Sequence, residues 1–79
     1  MKTQPIEQIM LALVNARGLG KSICPSEVAR RLSPENWRSL MVDVRSVAAS
    51  LQAAGKLRIT QGGVEVDLNT VRGPVRLSL

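Results

Sequence analysis

Cys24-Pro25-Ser26-Glu27-Val28-Ala29-Arg30-Arg31-Leu32-Ser33-Pro34-Glu35 carries two helix starts nine residues apart, and that spacing decides the fold. Cys24-Pro25-Ser26-Glu27 reads as a capping box in which Cys stands where Ser or Thr is usual, with Pro at the first helical position and Glu three residues past the cap. Ser33-Pro34-Glu35 repeats the signal. Ser33 can cap, Pro34 suits a first turn, and Glu35 complements the positive end of the helix dipole. The first helix, 25–32, is short and has Val28, Ala29 and Leu32 on its apolar stripe. The second spans 34–54, where Trp37, Leu40, Met41, Val44, Val47, Ala48, Leu51 and Ala54 recur at helical spacing until Gly55 stops it.

Downstream, Leu57-Arg58-Ile59-Thr60-Gln61 alternates apolar and polar, Gly62-Gly63 offers the positive-φ pair of a two-residue hairpin turn, and Val64-Glu65-Val66 returns. That hairpin has the form of a wing. Asp67 to Gly73 is loop-like, and the alternation of Pro74 to Leu79 predicts a closing third strand. Upstream, Pro5, Ile6, Ile9, Met10, Leu13 and Val14 predict a helix over 5–17 that ends at Gly18, with a very short extended segment at Lys21-Ser22-Ile23. The expected fold is a single α+β domain over 1–79, a winged helix-turn-helix. It has helices near 5–17, 25–32 and 34–54, and a wing and small antiparallel sheet over 57–79.

The chain is a small basic protein: 79 residues with 11 Lys and Arg against 6 Asp and Glu, net charge +5. The excess is spread, with +2 in residues 1–24, +1 in 25–55 and +2 in 56–79. It therefore favours phosphate generally without marking a face. Trp37 is the single aromatic residue, so the core must be aliphatic. One cysteine and no histidine exclude a Cys/His zinc site and an internal disulfide, and fit a cytoplasmic protein. The apolar run Ile9 to Val14 is too short to span a bilayer and is followed by Arg17 rather than a cleavage site, so neither membrane nor export is expected.

Several motifs invite chemistry. Asn15-Ala16-Arg17-Gly18-Leu19-Gly20-Lys21-Ser22 has the glycines, Lys and Ser of a phosphate-binding loop, but Asn15 replaces its first glycine and a helix stands where a buried strand is needed. A helix stop and turn is the simpler account. Cys24, at a helix start near Lys21, is a candidate reactive thiol but has no histidine base and no resolving cysteine. The carboxylates stand singly, so no acid–base pair is evident. No enzyme, catalytic residue, metal, cofactor or small-molecule substrate is expected.

The run Ile23-Cys24-Pro25-Ser26-Glu27-Val28-Ala29-Arg30, together with Trp37, Met41, Arg45, Gly55-Lys56, Thr60-Gln61-Gly62-Gly63 and Arg72-Gly73-Pro74, resembles an uncharacterised bacterial family, a small winged-helix domain of unknown function. The resemblance covers about Pro5 to Leu77. It implies the fold, a bacterial origin and a cytoplasmic context, and no site residues.

Two functions follow by analogy of fold. In the first the chain binds DNA, with 34–54 as recognition helix. At 100° per residue the face opposite its core stripe presents Ser39, Val42, Asp43, Ser46, Ala49, Ser50 and Ala53, flanked by Arg38 and Arg45. Ser39, Val42 and Ser46 would lie near base edges, and Gln61 at the wing tip. Arg38, Arg45, Arg58, Arg72 and Arg76 would neutralise phosphate. Contact with five phosphates gives an expected slope of log affinity on log salt near −4.5, binding that is weak and salt-sensitive. Asp43 opposes that reading. In the second, the same small-residue face meets a protein partner or a second copy of the chain without catalysis. The hairpin arginines have a plain alternative too: Arg58 and Arg76 as solvent-facing alternation, and Arg72 as the partner of Glu65 or Asp67.

Overall fold

The computed structural model describes residues 3–79, with side chains from Pro5 onward. Its elements run α1 (Thr3–Arg17), β1 (Ser22–Ile23), α2 (Pro25–Leu32), α3 (Trp37–Ala53), β2 (Arg58–Gln61), β3 (Val64–Glu65) and β4 (Arg76–Ser78). This is an α+β arrangement of three helices and one antiparallel sheet in the order β1-β4-β2-β3. The order of elements and strands is compatible with a winged helix. No helix of the described residues is long and apolar enough to cross a membrane.

Each element has a local cause. In α1, Ile6, Met10 and Val14 recur every fourth residue and are all buried. The helix already includes Thr3, two residues before Pro5, and tolerates it because a proline within the first turn lacks only an N–H that the helix could not have used. At α2 the Glu27 carboxylate accepts from the Cys24 N–H at 2.7 Å, which closes one half of the capping box. The Glu27 N–H is taken by the Cys24 carbonyl at 3.0 Å.

The start of α3 differs from the expected one. Ser33 does not cap it: its N–H donates to the Ala29 carbonyl at 2.9 Å and so finishes α2. Pro34 to Asn36 form a turn instead, and α3 begins at Trp37. The turn carries the chain three residues past Ser33, so the position before α3 falls to Asn36, whose side chain makes no cap bond. The far end is a Schellman motif, in which Lys56 N–H donates to the Leu51 carbonyl at 2.9 Å and Gly55 N–H to the Gln52 carbonyl at 3.0 Å. Gly55 stands there at φ +74°, where an L side chain would be strained.

In the sheet, Gly62 and Gly63 both have positive φ, 59° and 84°, as the two-residue turn between Gln61 and Val64 requires. Strand β4 lies between β1 and β2 and sets Ile23, Leu77 and Ile59 side by side, each without solvent exposure. Because strand side chains alternate, the next row, Ser22, Ser78 and Arg58, faces away from the helices. The core is one aliphatic cluster of α1, α2, α3 and this inner row, with no buried polar residue among the described ones.

From β3 the chain returns along α3 over 66–75, so the segment in the position of a wing is this one and not the expected 57–66 hairpin. The Gln52 side chain binds it twice, donating to the Val66 carbonyl and accepting from the Leu68 N–H at 3.1 Å. The Asp67 carboxylate accepts from the Asn69 N–H at 2.9 Å, so this segment is turned by its own Asp.

Candidate nucleic-acid interface

On α3 the charged residues separate by flank. At about 100° per residue, Arg38, Arg45 and Gln52 fall on the side toward the wing, while Asp43 and Ser50 fall on the side toward α1. Contacts agree with that division. Arg45 Nη1 donates to the Gly73 carbonyl at 3.4 Å, whereas Asp43 is half-buried and borders a cleft with Pro5, Ile6, Leu32 and Leu40. Asp43 is thus not interposed between the two arginines. Along the outermost ridge lie Ser39, Val42 and Ser46, all exposed, with Val42 at 77%.

The nine residues read from sequence as contacts for nucleic acid do not share one surface. Arg38, Ser39, Val42, Arg45 and Ser46 belong to α3, and the wing brings exposed Arg72 beside Arg45 through Gly73. Arg58 and Arg76 project from the outer side of the sheet, because their neighbours Ile59 and Leu77 point inward. Ser39 has a local role: its hydroxyl donates to the Asn36 carbonyl at 2.8 Å, within the first turn of the helix.

Three of the nine hold the fold together. Arg76 donates from Nε to the Ser22 hydroxyl at 2.9 Å, from Nη2 to the Ser22 carbonyl at 3.0 Å and from Nη1 to the Cys24 sulfur at 2.8 Å. It thereby fastens β4 to β1 and to the α2 cap. Gln61 is not a free wing tip, because its amide donates to the carbonyls of Arg72 at 2.6 Å and Pro74 at 3.2 Å. With Arg45 on Gly73, three consecutive wing carbonyls are each held by a side chain. Arg72 makes no pair with Glu65 or Asp67, and the ion pair among the described residues is Arg17 with Glu27, 2.9 Å.

Sequence periodicity misses a different group. Trp37 is half-buried against the core, and two guanidinium carbons lie over its ring, Arg30 at 4.3 Å and Arg38 at 4.6 Å from the centroid. Arg30 reads from sequence as a solvated charge on α2. Its meeting with Trp37 depends on the path of the 34–36 turn, which no helical spacing encodes.

The stretch resembling a phosphate loop is a helix end and turn leading into β1, and Ser22 accepts from Arg76. A shallow cleft of about 330 Å³ between the α2 start, α3 and the wing is lined by Cys24, Ser26, Met41, Arg45, Gly73 and Pro74, so distant motifs meet there. No curated protein matches the chain. The family model described as "Protein of unknown function (DUF3253)" matches residues 3–79, and the chain belongs to that family.

Proposed function

We propose that this protein binds nucleic acid, DNA in the first place, as a winged helix in which α3 enters the groove and the 66–75 wing lies beside it. The observation that carries this is the division of charge on α3: Arg38 and Arg45 stand on the wing side with Arg72 near, and Asp43 stands on the α1 side. A phosphate backbone along the wing side meets cations without meeting that acid. Val42 and Ser46 at the ridge suit a thymine methyl and a base edge, respectively.

With Arg58 and Arg76 on another surface, three phosphate contacts replace five. Anisotropy of a fluorescein-labelled mixed-sequence duplex, titrated with protein across a salt series, is expected to give a log–log slope near −2.7. A salt-independent signal, or none at low salt, rejects the proposal.

The exposure of Val42 favours a second reading, in which the ridge of α3 packs against the same ridge of a second copy. Sedimentation equilibrium without DNA separates the two. Self-association that Ser46→Arg abolishes supports the dimer; a monomer at all concentrations excludes it.

A further inference from the structure

We propose that Arg30, Trp37 and Arg38 form a clamp for one backbone phosphate of nucleic acid; this rests on the nucleic-acid reading of α3 and extends it across the turn to α2. The two guanidinium carbons lie 4.3 and 4.6 Å from the same ring centroid, so Trp37 gathers both cations at one aromatic platform within the reach of a phosphate group and its neighbours. Trp37 packs against the core and holds the platform still. Cation–aromatic contact fixes each guanidinium by its face, which leaves its N–H edge for an acceptor.

Among the described residues no acceptor meets either group. Among the described residues Arg30 and Arg38 make no side-chain hydrogen bond and no ion pair. Glu35, the acid closest in sequence to Trp37, pairs with neither, and Glu27 is occupied by Arg17 and by the Cys24 N–H. Two like charges held together without a counter-charge repel, and one anion between them relieves that repulsion. The planar fork of each arginine matches the paired oxygens of a phosphate.

Asn36 supplies no side-chain cap to α3, and the first turn of α3 contains no acid, so the field there also favours an anion. A nucleic-acid backbone is preferred to an isolated anion because Arg38 belongs to both the clamp and the wing-side flank with Arg45. One strand can follow that line from phosphate to phosphate. An arginine on a solvated helix face needs no tryptophan beneath it; two sharing one do.

Trp37 is the chain's single aromatic residue, so its emission reports on the clamp alone. Titrating the intact protein with the mixed duplex, its emission is expected to change in parallel with anisotropy. Arg30→Gln and Arg38→Gln are each expected to weaken binding roughly tenfold, as loss of a hydrogen bond to a charged group does. The double variant should bind little more weakly than either single one, because both arginines hold the same phosphate, and its salt slope should shrink by about 0.9. Unchanged far-ultraviolet circular dichroism confirms that each variant is folded. If the duplex binds in the salt-sensitive way while Trp37 emission and the Arg30→Gln affinity stay unchanged, the clamp is wrong and the α3 interface stands. If the duplex does not bind at low salt, both are wrong. A Trp37 response to poly-glutamate but not to the duplex overturns the phosphate assignment in favour of an acidic peptide.

Discussion

The β1–β4 seam and the α2–α3 turn are both built around arginine, and they use it in opposite ways. At the seam, Arg76 commits Nε and both terminal nitrogens to Ser22 and Cys24, so its charge is a structural pin on the outer side of the sheet. At the turn, Arg30 and Arg38 lie over the Trp37 ring, and among the described residues their donors meet no acceptor. Arg45 lies between the extremes, half-buried and touching the wing through a single long bond of 3.4 Å. Net charge therefore says little about which of the cations a phosphate could meet. Donor occupancy separates the cations that hold the fold from those available to a ligand.

That contrast can be broken at its structural end first. Leu77 has no solvent exposure and lies between Ile23 and Ile59, so it seats the strand that carries Arg76. Leu77→Ala is expected to cost about 2–5 kcal/mol in urea unfolding, as deletions at well-packed sites do. A loss below about 1 kcal/mol would mean that the seam is held by Arg76 and not by the apolar row. Next comes the wing. Gln61→Leu removes two bonds to the wing carbonyls and is expected to cost about 1–2 kcal/mol. It should also loosen the placement of Arg72, seen as faster amide exchange over 71–75. Unchanged exchange there would show that Gln61 does not hold the wing.

The scaffold was far more legible than the surface, for physical reasons that particular residues illustrate. Pro25 with Glu27, Gly55 with Lys56, and Gly62-Gly63 act within a few residues of themselves, and each does locally what its type predicts. Ser33-Pro34 has the same local grammar, yet Ser33 closes α2 because the chain must turn before α3 can begin. The placement of β4 between β1 and β2 joins residues over fifty positions apart, and only the sheet itself reveals it. The candidate contact residues suffer most from this. Arg58, Arg72 and Arg76 are indistinguishable as exposed cations on alternating or loop-like segments. Which side of the sheet each takes, and whether a serine stands within reach, depends on pairing between distant segments. Asp43 shows the reverse case, since helical geometry alone sets it about 140° from Arg38 and about 160° from Arg45; reading the whole outward half of α3 as one face obscured a separation already implicit.

The smallest effect on stability carries the sharpest test of the comparison. Arg76→Met keeps the aliphatic stem and loses the donors, so it is expected to cost about 1 kcal/mol of stability, with duplex affinity unchanged. Arg38→Gln should leave stability within about 0.5 kcal/mol, since among the described residues its donors meet no acceptor, while duplex affinity falls. Both substitutions remove one positive charge. A protein that attracted nucleic acid by net charge alone would lose the same affinity in either variant. Equal losses in matched anisotropy titrations would therefore erase the distinction between pinned and available arginines. A loss confined to Arg38→Gln would show that local donors, held ready over Trp37, and not the overall charge of +5, determine where phosphate is met.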